Sequence, residues 1–222
     1  MSLGLAATIR EARSIVSARG LDKGASSALG ESWNGNNFAC EQIRGLARKI
    51  FSLGIPNPVR QVVFSAAGPD IDISGLCLRT GQCLAEEGDG DVALVASEIS
   101  SPRAGRNLPL KQIATQINRN FWSLPGPEYS GVEGFASAHT YLAAIRSEFE
   151  YSIVAAPPAG GSELAILTQS ADGIVLVLSA QNTRRASAAR IKNTLAERNV
   201  RLLGAVLMDR EFPIPEKLYR RL

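Results

Sequence analysis

Nearly unbroken apolar runs alternate along this chain with segments whose apolar residues recur every three or four positions. The runs are QVVFSA (61–66), DVALVAS (91–97), YSIVAA (151–156), GIVLVLSA (173–180) and RLLGAVLM (201–208). Each is long enough for one strand, and each lacks the polar alternation of a strand with one wet face, as expected of strands buried on both faces. Helical periodicity occupies residues 74–87, 135–149, 162–171 and 184–198. The alternation predicts an α/β domain, with a mainly parallel central sheet flanked by helices on both faces. No period of about 20–50 residues recurs, which argues against a solenoid.

Upstream, Leu5, Ile9, Ala12 and Val16 share one face of a helix expected over 3–18, followed by a Gly-, Ser- and Asn-rich stretch. Residues 38–54 place Ile43, Leu46, Ala47 and Ile50 on one face and stop at Gly54, with Pro56 and Pro58 beyond. The expected division is therefore an N-terminal helix and flexible linker, 1–37, and an α/β domain, 38–222.

The chain has 222 residues, 45% hydrophobic and 20% charged, the balance of a soluble globular protein. No stretch reaches the ~18 apolar residues a bilayer span requires, and the opening residues lack the regions of a signal peptide. A cytoplasmic chain is expected. Net charge is +3, but from Arg184 onward ten Lys or Arg face four Asp or Glu. Such a region suits an acidic partner or a membrane surface, or simply the solvated faces of helices. Nucleic acid is not indicated. Cys40, Cys77 and Cys83 are too few and too far apart for a disulfide framework or zinc site, and are expected to be buried thiols. His139, the single histidine, has no recognisable catalytic partner nearby in sequence.

The segment SAAGPDIDISG, 65–75, joins the first predicted strand to the helix at 74–87, the place of a phosphate-binding loop. In G-x-x-x-x-G-K-[ST] the glycines let backbone N–H groups converge on phosphate, the lysine neutralises charge and the hydroxyl holds magnesium. Here Ala67 stands at the first glycine, with Gly68 beside it, Asp72 at the second, Ile73 at the lysine, and only Ser74 keeps its type. An aspartate about 4 Å from a phosphate oxygen is repelled by about 4 kcal/mol at an effective dielectric near 20. A helix N-terminus offers only about half a positive charge in return. Asp70, Asp72 and Ser74 suit the capping of that helix end by the chain itself. Asp70 and Asp72 are also a weak candidate pair for a divalent cation.

The order of these parts resembles the cytoplasmic kinase domain of bacterial tyrosine autokinases that control capsule and exopolysaccharide synthesis, within the deviant P-loop group containing the MinD and ParA ATPases. The likeness spans about 38–222 and is most evident in ADGIVLVLSAQNTRR and FPIPEKLYRRL. It implies two acidic motifs, and this chain departs from both. Ala96 stands where the strand motif ends in a magnesium-associated aspartate, with Glu98 at a second acidic place; Ala155 stands at the aspartate before Pro157 and Pro158. The resemblance also implies a self-association helix, Glu-x-x-Arg-x-x-Arg, which Glu41 and Arg44 begin and Arg48 continues one residue out of step. A C-terminal tyrosine cluster is reduced to Tyr219.

With the lysine and both metal-associated acids replaced, the expectation is a catalytically inactive relative that binds neither ATP nor magnesium. It would serve as a regulatory or binding subunit beside a membrane polysaccharide chain-length regulator or a kinase paralogue, or as a homo-oligomer. The alternatives are an active kinase or ATPase using Glu98, Asp70 or Asp72 for metal and Arg79 for phosphate, and a MinD- or ParA-like membrane- or DNA-associating protein.

Overall fold

The structure is a computed structural model that describes residues 35–52, 58–100, 109–127, 131–159 and 162–209. The chain divides into two units, Met1–Gln42 and Ile43–Leu222. The expected helix at 3–18 and Tyr219 lie outside the described residues, as does most of the expected linker.

The elements in chain order are α1 (Gly35–Phe51), β1 (Gln61–Ala66), α2 (Ser74–Glu87), β2 (Val92–Ser100), α3 (Leu110–Ile113), β3 (Thr115–Asn118), β4 (Phe121–Gly126), α4 (Gly131–Glu148), β5 (Tyr151–Ala156), α5 (Ser162–Ser170), β6 (Gly173–Ser179), α6 (Arg185–Glu197) and β7 (Leu202–Met208). All five expected strands form, and helix α2 has the expected bounds. Helix α1 begins three residues before the expected Phe38, and α4 begins four before 135. The short α3 and the antiparallel pair β3–β4 are additions to the expected pattern.

The seven strands form one sheet in the order β3-β4-β2-β5-β1-β6-β7. Only β3 runs antiparallel to its neighbour, so the sheet is mainly parallel. Strand β1 lies between β5 and β6 with all six residues buried. Burial on both faces accounts for its unbroken apolar run.

The side chains of the sheet divide by pleat into two cores. Val62, Phe64, Leu94, Ile153 and Val175 pack on the side of α1 and α2, with Ile50, Phe51, Leu76 and Cys77. Val63, Val95, Val154 and Ile174 pack on the other side, with Leu142 and Ile145 of α4, Leu167 of α5 and Leu195 of α6. Helices thus cover both faces, as the alternation predicts.

The lower end of the sheet is held by charge. Asp172, in the turn before β6, accepts hydrogen bonds from the backbone N–H of Arg60 (2.7 Å) and Gln61 (2.9 Å) through Oδ2. Its Oδ1 lies 2.9 Å from the Arg146 guanidinium. Burial by itself would raise the Asp172 carboxyl, but the bonds from Arg146, Gln61 and Arg60 outweigh it and hold the group below the usual carboxylate range.

Candidate functional site

In open α/β sheets ligands are taken up beyond the carboxyl ends of the strands, where the strand order changes direction. Strand β1 occupies that point here, since the chain leaves it toward β2 on one side and reaches β6 and β7 on the other. Residues 67–73 form the connection from β1 to α2.

This loop is tied down at its start. The Ala67 N–H donates to the Val177 carbonyl at 2.8 Å, and the Ala66 carbonyl accepts the Ala159 N–H at 2.7 Å. The Ser65 hydroxyl donates to the Pro157 carbonyl at 2.7 Å, fixing the end of β1 to the turn after β5. At the far end, the Ser74 N–H donates to Asp72 Oδ1 at 2.8 Å. The helix end therefore receives a carboxylate from within the chain, in the manner of a local side-chain cap. Asp70, Asp72 and Ser74 are all exposed.

Ile73, which the resemblance aligns with a phosphate-binding lysine, is 7% exposed and belongs to the core beneath α1 and α2, together with Leu76 and Cys77. A side chain there is used for packing. Burial pushes the Cys77 thiol well above its ordinary range, and the negative charge of Asp72 adds to the effect. The Asp72 carboxylate at the first turn of α2 places a negative charge beside the helix N-terminus, where it opposes a phosphate. Gly68 has open space where a Cβ would stand and no left-handed backbone angle, so the loop does not demand glycine there.

The two positions that the resemblance aligns with metal-associated acids come together. Ala96 and Ala155 are direct partners across the β2–β5 register, and Ala155 is 9% exposed among the apolar residues of the α1–α2 side. Neither supplies an oxygen ligand. Glu98 lies in β2, but its side chain is outside the described residues. Among the described residues no group of three His, Cys, Asp or Glu could hold a metal ion. Arg79 is half-buried in the second turn of α2. Among the described residues, the side chains at these positions supply neither the lysine nor an acidic ligand of a magnesium–nucleotide complex.

Beside the loop lies a shallow cleft of about 120 Å³, lined on one side by Gly68, Asp70 and Ile71 and on the other by Asn182, Arg184 and Ser187. Sites for drug-sized ligands run to ~300–1,000 Å³. The turn that forms its far wall is built by Ser179 and Thr183: the Thr183 hydroxyl accepts the Ser179 N–H at 2.9 Å, and the Ser179 hydroxyl accepts the Asn182 N–H at 3.3 Å.

The residues singled out for self-association have contacts within the chain. Arg44 pairs with Glu87 at 3.0 Å and Glu86 at 4.0 Å, and Arg48 pairs with Glu87 at 3.0 Å, joining α1 to α2. The side chains of Arg44 and Arg48 remain 41% and 66% exposed, so the pairs stabilise little. Glu41 is exposed. Of the three cysteines expected to be buried, Cys77 and Cys83 are, whereas Cys40 is exposed, a correction: among the described residues of α1, those that pack on the core begin with Ile43, beyond Cys40. His139 is exposed on α4. Among the described residues no helix is long and apolar enough to cross a membrane.

No family model and no curated protein sequence matches the chain. Solved structures do. The kinase domain of the Escherichia coli tyrosine kinase ETK superposes with a TM-score of 0.67 at 14% identity, over 90% of this chain and 89% of that one. The BceF tyrosine kinase domain gives 0.61 at 17% identity, over 76% of each chain. The MinD cell division protein of Aquifex aeolicus gives 0.53 at 16%, over 73% and 72%. The shared feature is the fold: this chain has the mainly parallel, P-loop NTPase-like α/β architecture of these kinase domains and ATPases.

Proposed function

We propose that this chain is a catalytically inactive relative of the exopolysaccharide tyrosine kinases, and that it binds neither ATP nor magnesium. The observation that carries the reading is Ile73, buried in the core at the position where a phosphate-binding loop presents its lysine. Phosphoryl transfer consists almost wholly of positioning and charge neutralisation by lysine and metal. An apolar side chain, two alanines and a carboxylate bonded to the helix N-terminus offer neither.

In this reading the retained scaffold works by binding. Its partner is a membrane polysaccharide chain-length regulator, a kinase paralogue or a second copy, met from the cytoplasmic side. Thermal unfolding with and without millimolar MgATP tests the loss of nucleotide binding. The expected result is an unchanged midpoint. Stabilisation of about 2–3 kcal/mol at a hundredfold excess over the dissociation constant would overturn it. Incubation with radiolabelled ATP, using Tyr219→Phe as control, distinguishes an active kinase, which would incorporate label.

A further inference from the structure

At one end of the sheet β7 pairs with β6 and, among the described residues, with no strand on its other side. Edge strands of soluble proteins are commonly guarded by charge, proline or a bulge that spoils further pairing. Strand β7, LLGAVLM, has neither charge nor proline. Its register irregularity falls at the start, opposite Ile174 and Val175, leaving Ala205 to Met208 in regular register with Leu176 to Ser179.

The pleat makes this half of the strand two-sided. Val206 and Met208 pack on the α1–α2 core. Alternation turns Ala205 and Leu207 to the other face, the side of α6. Both are exposed, and Leu207, at 53%, is the large apolar side chain left most open to water among the described residues.

The segment that leads into this edge is basic on balance. Residues 184–209 contain six Lys or Arg against two Asp or Glu. The crossover from β6 to β7 through α6 places the first turn of α6, with exposed Arg184 and Arg185, at the same end of the sheet as Leu207. Arg190 and Lys192 are exposed farther along the helix.

We propose that β7 is a docking edge for an extended, acidic segment of a partner protein, added to the sheet as a further strand. Its backbone would pair with the free edge, one apolar side chain would cover Leu207, and its carboxylates would meet the basic residues of α6. Main-chain bonding supplies affinity in such additions, and alternate side chains supply specificity. A second copy of this chain fits less well, because it would bring the same basic face to the contact. No nucleotide is needed, so this surface and the inactive loop stand or fall separately.

The test uses the full chain and two fluorescent ten-residue probes, one alternating Val and Glu, the other alternating Val and Lys. By anisotropy at ~50 mM salt the acidic probe should bind at least about tenfold more tightly than the basic one, and lose about tenfold or more by ~300 mM salt. Hydrogen exchange should show protection within 202–208. Leu207→Ser should weaken binding about tenfold, and Arg184→Glu with Arg185→Glu should remove the preference for the acidic probe; these residues are exposed, so both proteins should keep the parent circular dichroism. Equal binding of both probes, no binding, or protection elsewhere would overturn the proposal. So would dimerisation that protects 202–208, binding that appears only after residues 210–222 are removed, or tighter binding to phosphatidylglycerol vesicles or duplex DNA than to the acidic probe.

Discussion

Replacing Ile73 by lysine restores the missing cation in sequence, and the structure sets what that should cost. Ile73 is 7% exposed, in contact with the core that contains Leu76 and Cys77. Methionine is the matching control, being unbranched and close to lysine in length; a volume-conserving apolar swap of this kind costs under about 1.5 kcal/mol. Lysine differs from it chiefly by the ammonium group. Taking that charge out of water costs several kcal/mol, less whatever the stem recovers by reaching solvent. The expected difference between Ile73→Lys and Ile73→Met is about 2–4 kcal/mol at pH 7, measured by urea unfolding with the slope unchanged. A buried lysine has its pKa depressed, so the unfolded chain binds the extra proton and stability rises with pH; the gap should narrow toward pH ~10. If Ile73→Lys is as stable as Ile73→Met and its melting point rises with MgATP, the side chain points to a working phosphate site and the reasoning fails.

Three further outcomes follow from particular contacts. Asp172→Ala leaves the Arg60 and Gln61 N–H groups without their carboxylate and should cost about 2–3 kcal/mol, whereas Asp172→Asn keeps an acceptor and should cost less. Because the Asp172 carboxyl is held below its unfolded value, its contribution is present above about pH 4 and is lost as pH falls through the folded value; wild-type and Asp172→Asn stabilities should converge in that acid range, and parallel curves would exclude the clamp. Asn199 has a left-handed backbone (φ 55°) where α6 ends, with the Val200 N–H donating to the Leu195 carbonyl at 2.9 Å; Asn199→Gly should leave stability within about 1 kcal/mol or raise it, and Asn199→Ala should lower it by about 1 kcal/mol in thermal melts. Gly68→Ala meets open space and should be neutral or stabilising by up to about 1 kcal/mol, whereas a loss above about 1 kcal/mol would show that the loop needs glycine.

The sheet core was legible because β1, β2, β5 and β6 are buried on both faces, which leaves their apolar runs unbroken. The pair β3–β4 was not. TQIN alternates half-buried with exposed positions over only four residues, and FWSLPG carries Pro125, which lacks the donor expected of an interior strand. The early start of α4 was hidden by Gly131 and Gly134, which read as turn residues although the backbone is helical through them. At the loop, the sequence showed two aspartates and no lysine, and the Asp72 bond to Ser74 follows from their spacing. That Ile73 turns into the core, and that Ala96 and Ala155 are cross-strand partners, depends on long-range packing and register that no local pattern encodes.

The central claim is that the chain's own carboxylate and a buried isoleucine occupy the place where this fold holds phosphate and its lysine. Isothermal titration of the full chain with MgATP tests it most directly. The account predicts no saturable heat up to about 1 mM nucleotide, a binding free energy weaker than about −4 kcal/mol. A one-to-one isotherm with a dissociation constant in the micromolar range, lost on Ser74→Ala, would contradict it.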